Sequence, residues 1–147
     1  MAIHLIVVTP AGEAISQPVE SVVLPGAEGD FGVLENHARF LAPLKPGAME
    51  MKLPGGNVEW AAVSGGFAEV SGQQVVVLVD ECFRGGEIDL EHATRSREEA
   101  DAALEAFRAR ERAAEEAEED ELEHLARLED SRVRATVQID VHTRHHA

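Results

Sequence analysis

His37 is the residue in this sequence that most resembles a general base, because three acids precede it closely. Glu28, Asp30 and Glu35 lie with it in the stretch EGDFGVLENHARFL, residues 28 to 41. A histidine beside carboxylates suits acid–base catalysis, which would make the chain a small hydrolase with His37 as base. The stretch contains no Ser, Cys, Lys or Tyr to act as a nucleophile. A loop that is stiffened by hydrogen bonds or that contacts a partner is therefore the other interpretation.

Two further patterns could bind ligands. Gly26, Gly29 and Gly32 form G-x-x-G-x-x-G, but neither the dinucleotide fingerprint nor the Gly-Lys-Ser/Thr of a phosphate loop is present. The histidines of residues 142 to 146 have no Cys or second set of ligands near them in the sequence. We therefore predict glycines that serve loop geometry, no metal site and no catalytic residue.

The overall charge excludes whole classes of partner. The chain has 147 residues and a net charge of -15, which repels phosphate backbones, so nucleic acid is not expected to bind. The one cysteine, Cys82, forms no internal disulfide, and its acidic neighbours Asp80 and Glu81 predict an unreactive structural thiol. The longest apolar run is far shorter than the roughly 20 residues of a spanning helix. The N-terminus lacks the pattern of a signal peptide.

The elements that position these residues change type near Gly86. All glycines and prolines lie at or before this position. Residues 1 to 86 show short runs with a period of two, such as Met49 to Leu53, separated by turns such as Pro54 to Asn57. The run VVVLVDECF, residues 75 to 83, predicts a strand buried on both faces at its centre. We predict an antiparallel β-sandwich or barrel of 8 to 10 short strands.

The remainder of the chain is helical in composition, so the fold class is α+β. Asp89 is a predicted N-cap, and Ala93, Ala100, Leu104, Phe107 and Ala114 form one apolar stripe. A second stripe consists of Leu122, Leu125, Leu128 and Val133. A turn between two helices is predicted within the acidic run of residues 115 to 121, although one long helix, or exchange between a hairpin and an extended form, also fits the sequence.

These patterns predict three segments. Residues 1–86 form the sandwich, residues 87–136 a helical domain and residues 137–147 a flexible tail. Arg127, Arg132 and Arg134 follow the acidic run, and residues 131 to 139 contain two arginines and no acid. As helical charges they would pair with nearby Glu residues. The alternative is that they dock the last helix on an acidic surface.

Three stretches of the chain carry a family resemblance, namely VVLPGAEGDFGVLENHARFLAPLKPG (22 to 47), VSGGFAEVSGQQVVVLVDE (63 to 81) and GEIDLEHA (86 to 93). Together, and in this order, they resemble the epsilon subunit of bacterial F-type ATP synthases. The resemblance covers most of the first domain and the hinge after it. The helical part is similar only in type.

The resemblance implies a non-catalytic rotor component on the cytoplasmic face of the bacterial cell membrane, which it meets only through the complex. The sandwich would bind the gamma subunit and the polar loops of the c-ring. The implied contacts are Glu28, Gly29, Asp30 and His37. The helices would lie beside the sandwich or extend along gamma to the alpha and beta subunits and inhibit ATP hydrolysis, with Arg127, Arg132 and Arg134 contacting an acidic loop of beta.

One position departs from the family pattern. Some members bind ATP through the motif Ile/Leu-Asp-x-x-Arg-Ala, which corresponds to residues 88 to 93. Asp89 and His92 are therefore the implied ATP-binding positions, but His92 replaces the arginine. A neutral imidazole lacks the permanent charge and planar donors of arginine. We expect weak or absent ATP binding and no other cofactor. A stand-alone ATP-sensing module is the remaining alternative.

Overall fold

The computed structural model describes residues 2–111 and 119–146, apart from the side chains of His37 and Glu111. Within them, ten strands precede two helices, which confirms the predicted sandwich and helical hairpin. The strands are β1 (Ile3–Thr9), β2 (Gly12–Val19), β3 (Ser21–Leu24), β4 (Phe31–Leu34), β5 (His37–Leu44), β6 (Gly47–Lys52), β7 (Val58–Val63), β8 (Gly66–Gly72), β9 (Gln74–Val79) and β10 (Cys82–Arg84). A 3-10 turn (Gly85–Glu87) leads to α1 (Leu90–Glu111) and α2 (Glu119–His145).

The strands form two five-stranded sheets. Sheet 1 has the order β2-β1-β9-β8-β5, and sheet 2 has the order β10-β7-β6-β3-β4. Neighbouring strands are antiparallel except β1 and β9, which are parallel. The prediction of a wholly antiparallel sandwich is corrected at this pair. Most of the sandwich sequence lies between β1 and β9, so no short hairpin imposes an antiparallel orientation on them.

Alternating side chains from the two sheets fill the core between them. Met49 and Met51 on β6 are fully buried, as the period of two predicts, and they pack with Leu5, Val22 and Val77. The predicted hairpin between β6 and β7 is present. Its two glycines adopt positive φ angles, which is the backbone region that glycine enters without steric cost.

The prediction for β9 is wrong on one face. Val75, Val77 and Val79 are buried in the core, but Leu78 is 51% exposed and Val76 is half-buried. Successive side chains of a strand point to opposite faces, and within the described residues α2 packs on β6 and β7 of sheet 2 rather than over sheet 1. An apolar run on both faces therefore marks an uncovered surface here.

The start of α1 agrees with the sequence. The Asp89 carboxylate accepts a hydrogen bond of 3.1 Å from the backbone N–H of His92, as an N-cap does. Ala93, Ala100 and Leu104 are buried, together with Phe107, so the first stripe is confirmed where it is described. Ala114, the last member of the predicted stripe, lies outside the described residues.

Helix α2 differs from the prediction in which residues it buries. Leu122 and Val133 are exposed, and burial falls instead on Ala135 and Val141. The flexible tail predicted from residue 137 is corrected, because α2 continues to His145. Spacings of three to four residues place Val137 and Val141 on the face that packs against the sandwich, and this contact stabilises the last three turns.

The two helices are antiparallel neighbours. Arg110 pairs with Glu121 near one end of the hairpin, and Asp101 pairs with Arg132 farther along. Residues 119 to 121 of the predicted turn already belong to α2, while residues 115 to 118 lie outside the described part of the chain. Neither described helix is long and apolar enough to cross a membrane.

Candidate functional site

The loop between β3 and β4 presents two acids from a constrained backbone. Glu28, Gly29 and Asp30 are exposed. The Gly29 N–H donates to the Gly26 carbonyl oxygen at 3.1 Å, and Gly29 has a φ of 135°. A Cβ at Gly26 would lie 2.5 Å from the Gly29 carbonyl oxygen, so only glycine fits there. The predicted contact residues of this loop therefore form one exposed, shaped edge.

His37 lies at the other end of β5 from this loop. The Ala27 N–H donates to the Pro43 carbonyl oxygen at 2.9 Å, which places the loop beside the end of β5. His37 begins the same strand six residues earlier, so its backbone lies about 20 Å from Pro43. The geometry thus separates His37 from Glu28 and Asp30. The predicted acid–base group is not assembled.

The partner contact predicted for His37 stays a prediction, because its side chain lies outside the described part of the chain. Its backbone pairs with Gly72 on β8. The turn before it contains Glu35 and Asn36, and Asn36 has a positive φ of 61°. A hydrolase would therefore have to rely on Glu35 alone among the three acids first associated with His37.

The outer face of sheet 1 is an apolar surface that the sequence reasoning missed. Val8, Leu78, Phe67 and Pro43 are register neighbours across β1, β9, β8 and β5. Leu41 is 67% exposed and Phe67 53% exposed. We call these five residues the open face. The sequence did contain a signal for this surface, because apolar residues occupy both faces of β9. We interpreted that pattern as burial of both faces.

The outer face of sheet 2 is covered by α2, in contrast to the outer face of sheet 1. Val141 packs with Ala62 and Ile88 in a small buried cluster, to which Trp60 and Phe83 add partly buried surface. We call the four sandwich-side residues of this cluster, Trp60, Ala62, Phe83 and Ile88, the covered face. The sandwich therefore has one outer face occupied by its own helix and one that is exposed.

The three arginines predicted to contact an acidic partner do not form one group. Arg127 is exposed. Arg132 pairs with Asp101 on α1. Arg134 faces Asp80 and Glu81 at the end of β9, so it binds an acidic surface of its own chain. Their assignment to another subunit would require α2 to leave this position.

The positions implied for ATP binding are engaged or exposed. Asp89 caps α1 through its carboxylate, and His92 is exposed in the first turn. The ATP contact of this pair stays a prediction. Across residues 2–111 and 119–146, no group of three or more His, Cys, Asp or Glu side chains is arranged to hold a metal ion.

Comparison with known proteins gives one family model that matches residues 2–85, described as the beta-sandwich domain of the ATP synthase delta/epsilon chain. The ATP synthase epsilon chain of Nitratidesulfovibrio vulgaris (strain DSM 19637 / Miyazaki F) is 45% identical over 95 residues, which are 65% of this chain and 70% of that one. The ATP synthase epsilon chain of Desulfosudis oleivorans is 43% identical over 103 residues, 70% of this chain and 77% of that one.

A solved structure shares the fold over nearly the whole length. It is a chain in the cryo-EM structure of the Euglena gracilis mitochondrial ATP synthase, described as OSCP/F1/c-ring in rotational state 1. The TM-score is 0.63 at 24% sequence identity, and the match covers 97% of this chain and 78% of that one. At this identity the likeness concerns the fold.

Proposed function

The chain belongs to the ATP synthase delta/epsilon chain family, and we propose from this premise that its sandwich joins the gamma subunit to the c-ring in the central stalk. It is the epsilon subunit of an F-type ATP synthase, a structural and regulatory component rather than a catalytic one. In this role it transmits the rotation of the ring to the catalytic head. The hydrolase and the stand-alone ATP sensor have no support in the comparisons.

The observation that carries the gamma contact is the open face. Five apolar side chains lie together there, and the register of four adjacent strands holds them in place. Exposed apolar patches of this kind on a soluble domain mark contact with another protein. The covered face is occupied by α2 in the described state, so the open face is the one we assign to gamma.

The loop of Glu28, Gly29 and Asp30 is the contact we assign to the c-ring, and His37, at the other end of β5, would make a separate contact with gamma or the ring. The backbone of the loop is constrained and its acids are exposed, so it can press on polar loops without rearranging. This placement puts the subunit peripherally on the cytoplasmic face of the bacterial membrane. It meets the membrane only through the complex.

The helical hairpin is the regulatory part of the proposal. When α2 leaves the sandwich, it extends along gamma towards the alpha and beta subunits, and Arg127, Arg132 and Arg134 meet an acidic surface of beta. In the described state Arg132 and Arg134 are paired within the chain. The described hairpin is therefore the form that leaves ATP hydrolysis uninhibited. ATP binding by Asp89 and His92 is expected to be weak or absent.

The proposal is tested by co-purification with gamma from native membranes. Phe67→Asp places a charge on the open face and should reduce recovery of gamma at least tenfold. Val58→Asp is the matched control, because Val58 is an exposed apolar residue on β7 of sheet 2. It should leave recovery unchanged. Equal recovery with both variants would contradict the assignment of the open face.

A separate experiment tests whether the sandwich binds gamma and the helices regulate hydrolysis. A chain that ends at Gly86 should still bind gamma and support coupled ATP synthesis, while ATP hydrolysis rises or stays the same. Membranes without any of this chain should lose coupling between proton flow and ATP synthesis. Normal coupling in its absence would refute the function itself.

A further inference from the structure

Arg134 on α2 is surrounded by carboxylates from two parts of the chain. Its Nη1 lies 3.2 Å from Glu81 Oε1, and its Nη2 lies 3.4 Å from Asp80 Oδ2. Its Nε lies 2.8 Å from Asp130 Oδ2, one turn earlier on the same helix. This pair is an ion pair but does not have the geometry of a hydrogen bond. The side chain is only 25% exposed. Arg134 is thus the ionic contact between the helical hairpin and the sandwich.

Ser64 fixes the backbone from which the two sandwich carboxylates project. Ser64 is buried, and its Oγ accepts hydrogen bonds of 2.9 Å from the backbone N–H groups of both Asp80 and Glu81. The Ser64 N–H in turn donates to the Glu81 carbonyl oxygen at 3.0 Å. A preorganised acceptor loses little entropy when the guanidinium binds. The turn after β9 is therefore a built receptor for one positive charge.

The carboxylates at this turn favour the charged form of Arg134. Burial lowers the pKa of Arg134, but the carboxylates of Asp130, Glu81 and Asp80 outweigh burial and raise the pKa above its ordinary value. Arg134 therefore stays charged whenever the helix is docked. If α2 leaves, Asp80 and Glu81 remain together without this cation, and their mutual repulsion favours its return.

The rest of the docking surface is small. Arg134, Val137 and Val141 recur at helical spacing, and only Val141 is fully buried among them. Near the end of α2, the guanidinium carbon of Arg144 lies 4.7 Å from the centre of the Trp60 ring. The apolar cluster of this contact has three buried residues, Ala62, Ile88 and Val141, so the loss of one ionic contact should have a measurable effect on docking.

We propose that Arg134, received by Asp80 and Glu81, is an ionic latch that holds the helical hairpin against the sandwich. This proposal rests on the proposed function in one respect, because Arg134 is also a residue that we assign to the contact with the beta subunit. Arg134 cannot make both contacts at once. Opening of the latch therefore has to precede any contact of this residue with another subunit.

The isolated full-length chain provides the test. Trp60 is the single tryptophan and lies under α2, so its fluorescence reports docking directly. Arg134→Gln should shift the emission to longer wavelength and increase hydrogen exchange of the amides of residues 135 to 145 about tenfold. Exchange of the β1 and β9 amides should stay unchanged, which shows that the sandwich is still folded.

Two matched variants separate the latch from a general effect of charge. Arg127→Gln removes a positive charge from the same helix, and Arg127 forms no ion pair within the described residues, so docking should not change. Asp80→Asn with Glu81→Gln leaves the helix intact and should open it about as much as Arg134→Gln does. Adding Arg134→Gln to this pair should then have little further effect.

Salt gives an independent measurement. Asp80 is largely exposed and Glu81 partly exposed, so raising the ionic strength from about 0.05 to 0.5 M should loosen α2 in the native chain and have less effect on Arg134→Gln. The latch is refuted if Arg134→Gln behaves like Arg127→Gln, or if the Asp80 and Glu81 variant keeps α2 docked. None of these measurements requires gamma, so failure of the latch and failure of gamma binding are distinguishable.

Discussion

The sandwich and the helical hairpin are packed by different kinds of side chain. The sandwich core consists mainly of Val, Leu, Ile and Met residues from both sheets, many of them fully buried. The hairpin buries three alanines, Ala93, Ala100 and Ala135, beside Leu104 and Phe107. Its contact with the sandwich has three buried residues, Ala62, Ile88 and Val141, and adds the ion pairs of Arg134.

This difference implies different energies of opening. Burial of one large aliphatic side chain contributes about 1.5 to 3 kcal/mol, whereas an alanine contributes much less. Partly exposed ion pairs contribute about 1 kcal/mol or less each and weaken with salt. The sandwich is therefore the stable platform, and the hairpin is a separable element whose docked state lies close in free energy to its undocked state.

The largest expected effect comes from the sandwich core. Leu5→Ala removes a fully buried side chain from β1 and should lower the free energy of unfolding of the sandwich by about 2 to 5 kcal/mol. Leu104→Ala is the matched change in the hairpin, where Leu104 is 3% exposed. It should loosen the helices and leave the sandwich within about 0.5 kcal/mol of its original stability.

Hydrogen exchange under increasing urea measures both variants, with the β1 and β9 amides reporting the sandwich and the α1 and α2 amides reporting the hairpin. If Leu104→Ala destabilised the strands as much as Leu5→Ala does, the two regions would form one cooperative unit. The separation proposed between platform and regulatory element would then be wrong.

The sequence predicted the sandwich well because its evidence is local. The alternation of Met49 and Met51 and the turn of residues 54 to 57 each specify structure within a few residues. The parallel pairing of β1 with β9 could not be predicted, because it depends on contacts far apart in the chain. The open face was missed for a related reason: an apolar residue on the second face of a strand looks the same whether it is covered or not.

The hairpin was predicted less well because the burial and pairing of its residues depend on the elements that they contact. Val137 and Val141 were assigned to a flexible tail, and only their contact with the covered face of sheet 2 buries Val141 fully and Val137 partly. Arg134 was assigned to a partner protein because an acidic receptor within the chain is not visible in the sequence. Its receptor is the turn of Asp80 and Glu81, which Ser64 fixes from sixteen residues away.

The junction between the two regions gives the next prediction. A Cβ at Gly85 would lie 2.6 Å from the His145 Cβ, which is closer than packed carbon atoms approach, so Gly85→Ala should displace the end of α2. The cost should be about 1 to 3 kcal/mol of docking free energy, with the strands unaffected. At Gly86 the nearest contact would be 3.6 Å from His145 Nε2, an ordinary distance.

Gly86→Ala is therefore the control, and its Trp60 fluorescence should match that of the native chain. Gly85→Ala should shift the emission to longer wavelength, because the end of α2 no longer covers the Trp60 ring. Identical spectra for the two variants would mean that the end of α2 does not rest on the junction.

The smallest expected effect belongs to the sandwich alone and appears at alkaline pH. Burial, with the nearby Glu87 carboxylate, raises the pKa of the Cys82 thiol from 9.0 to about 11, despite the opposing charge of Arg84. Between these values the unfolded chain releases the thiol proton and the folded chain keeps it. The stability is therefore fully present below pH 9 and decreases as the pH rises towards 11.

At pH 10 this loss should be about 1 kcal/mol relative to pH 8. Cys82→Ala removes the thiol. In urea unfolding, its free energy of unfolding should therefore fall between pH 8 and pH 10 by about 1 kcal/mol less than that of the native chain. The docking of α2, followed by exchange of the amides of residues 135 to 145, should respond equally in both proteins. A difference confined to α2 would instead assign the titration to the hairpin contact, because β10 pairs with the same strand, β7, that α2 covers.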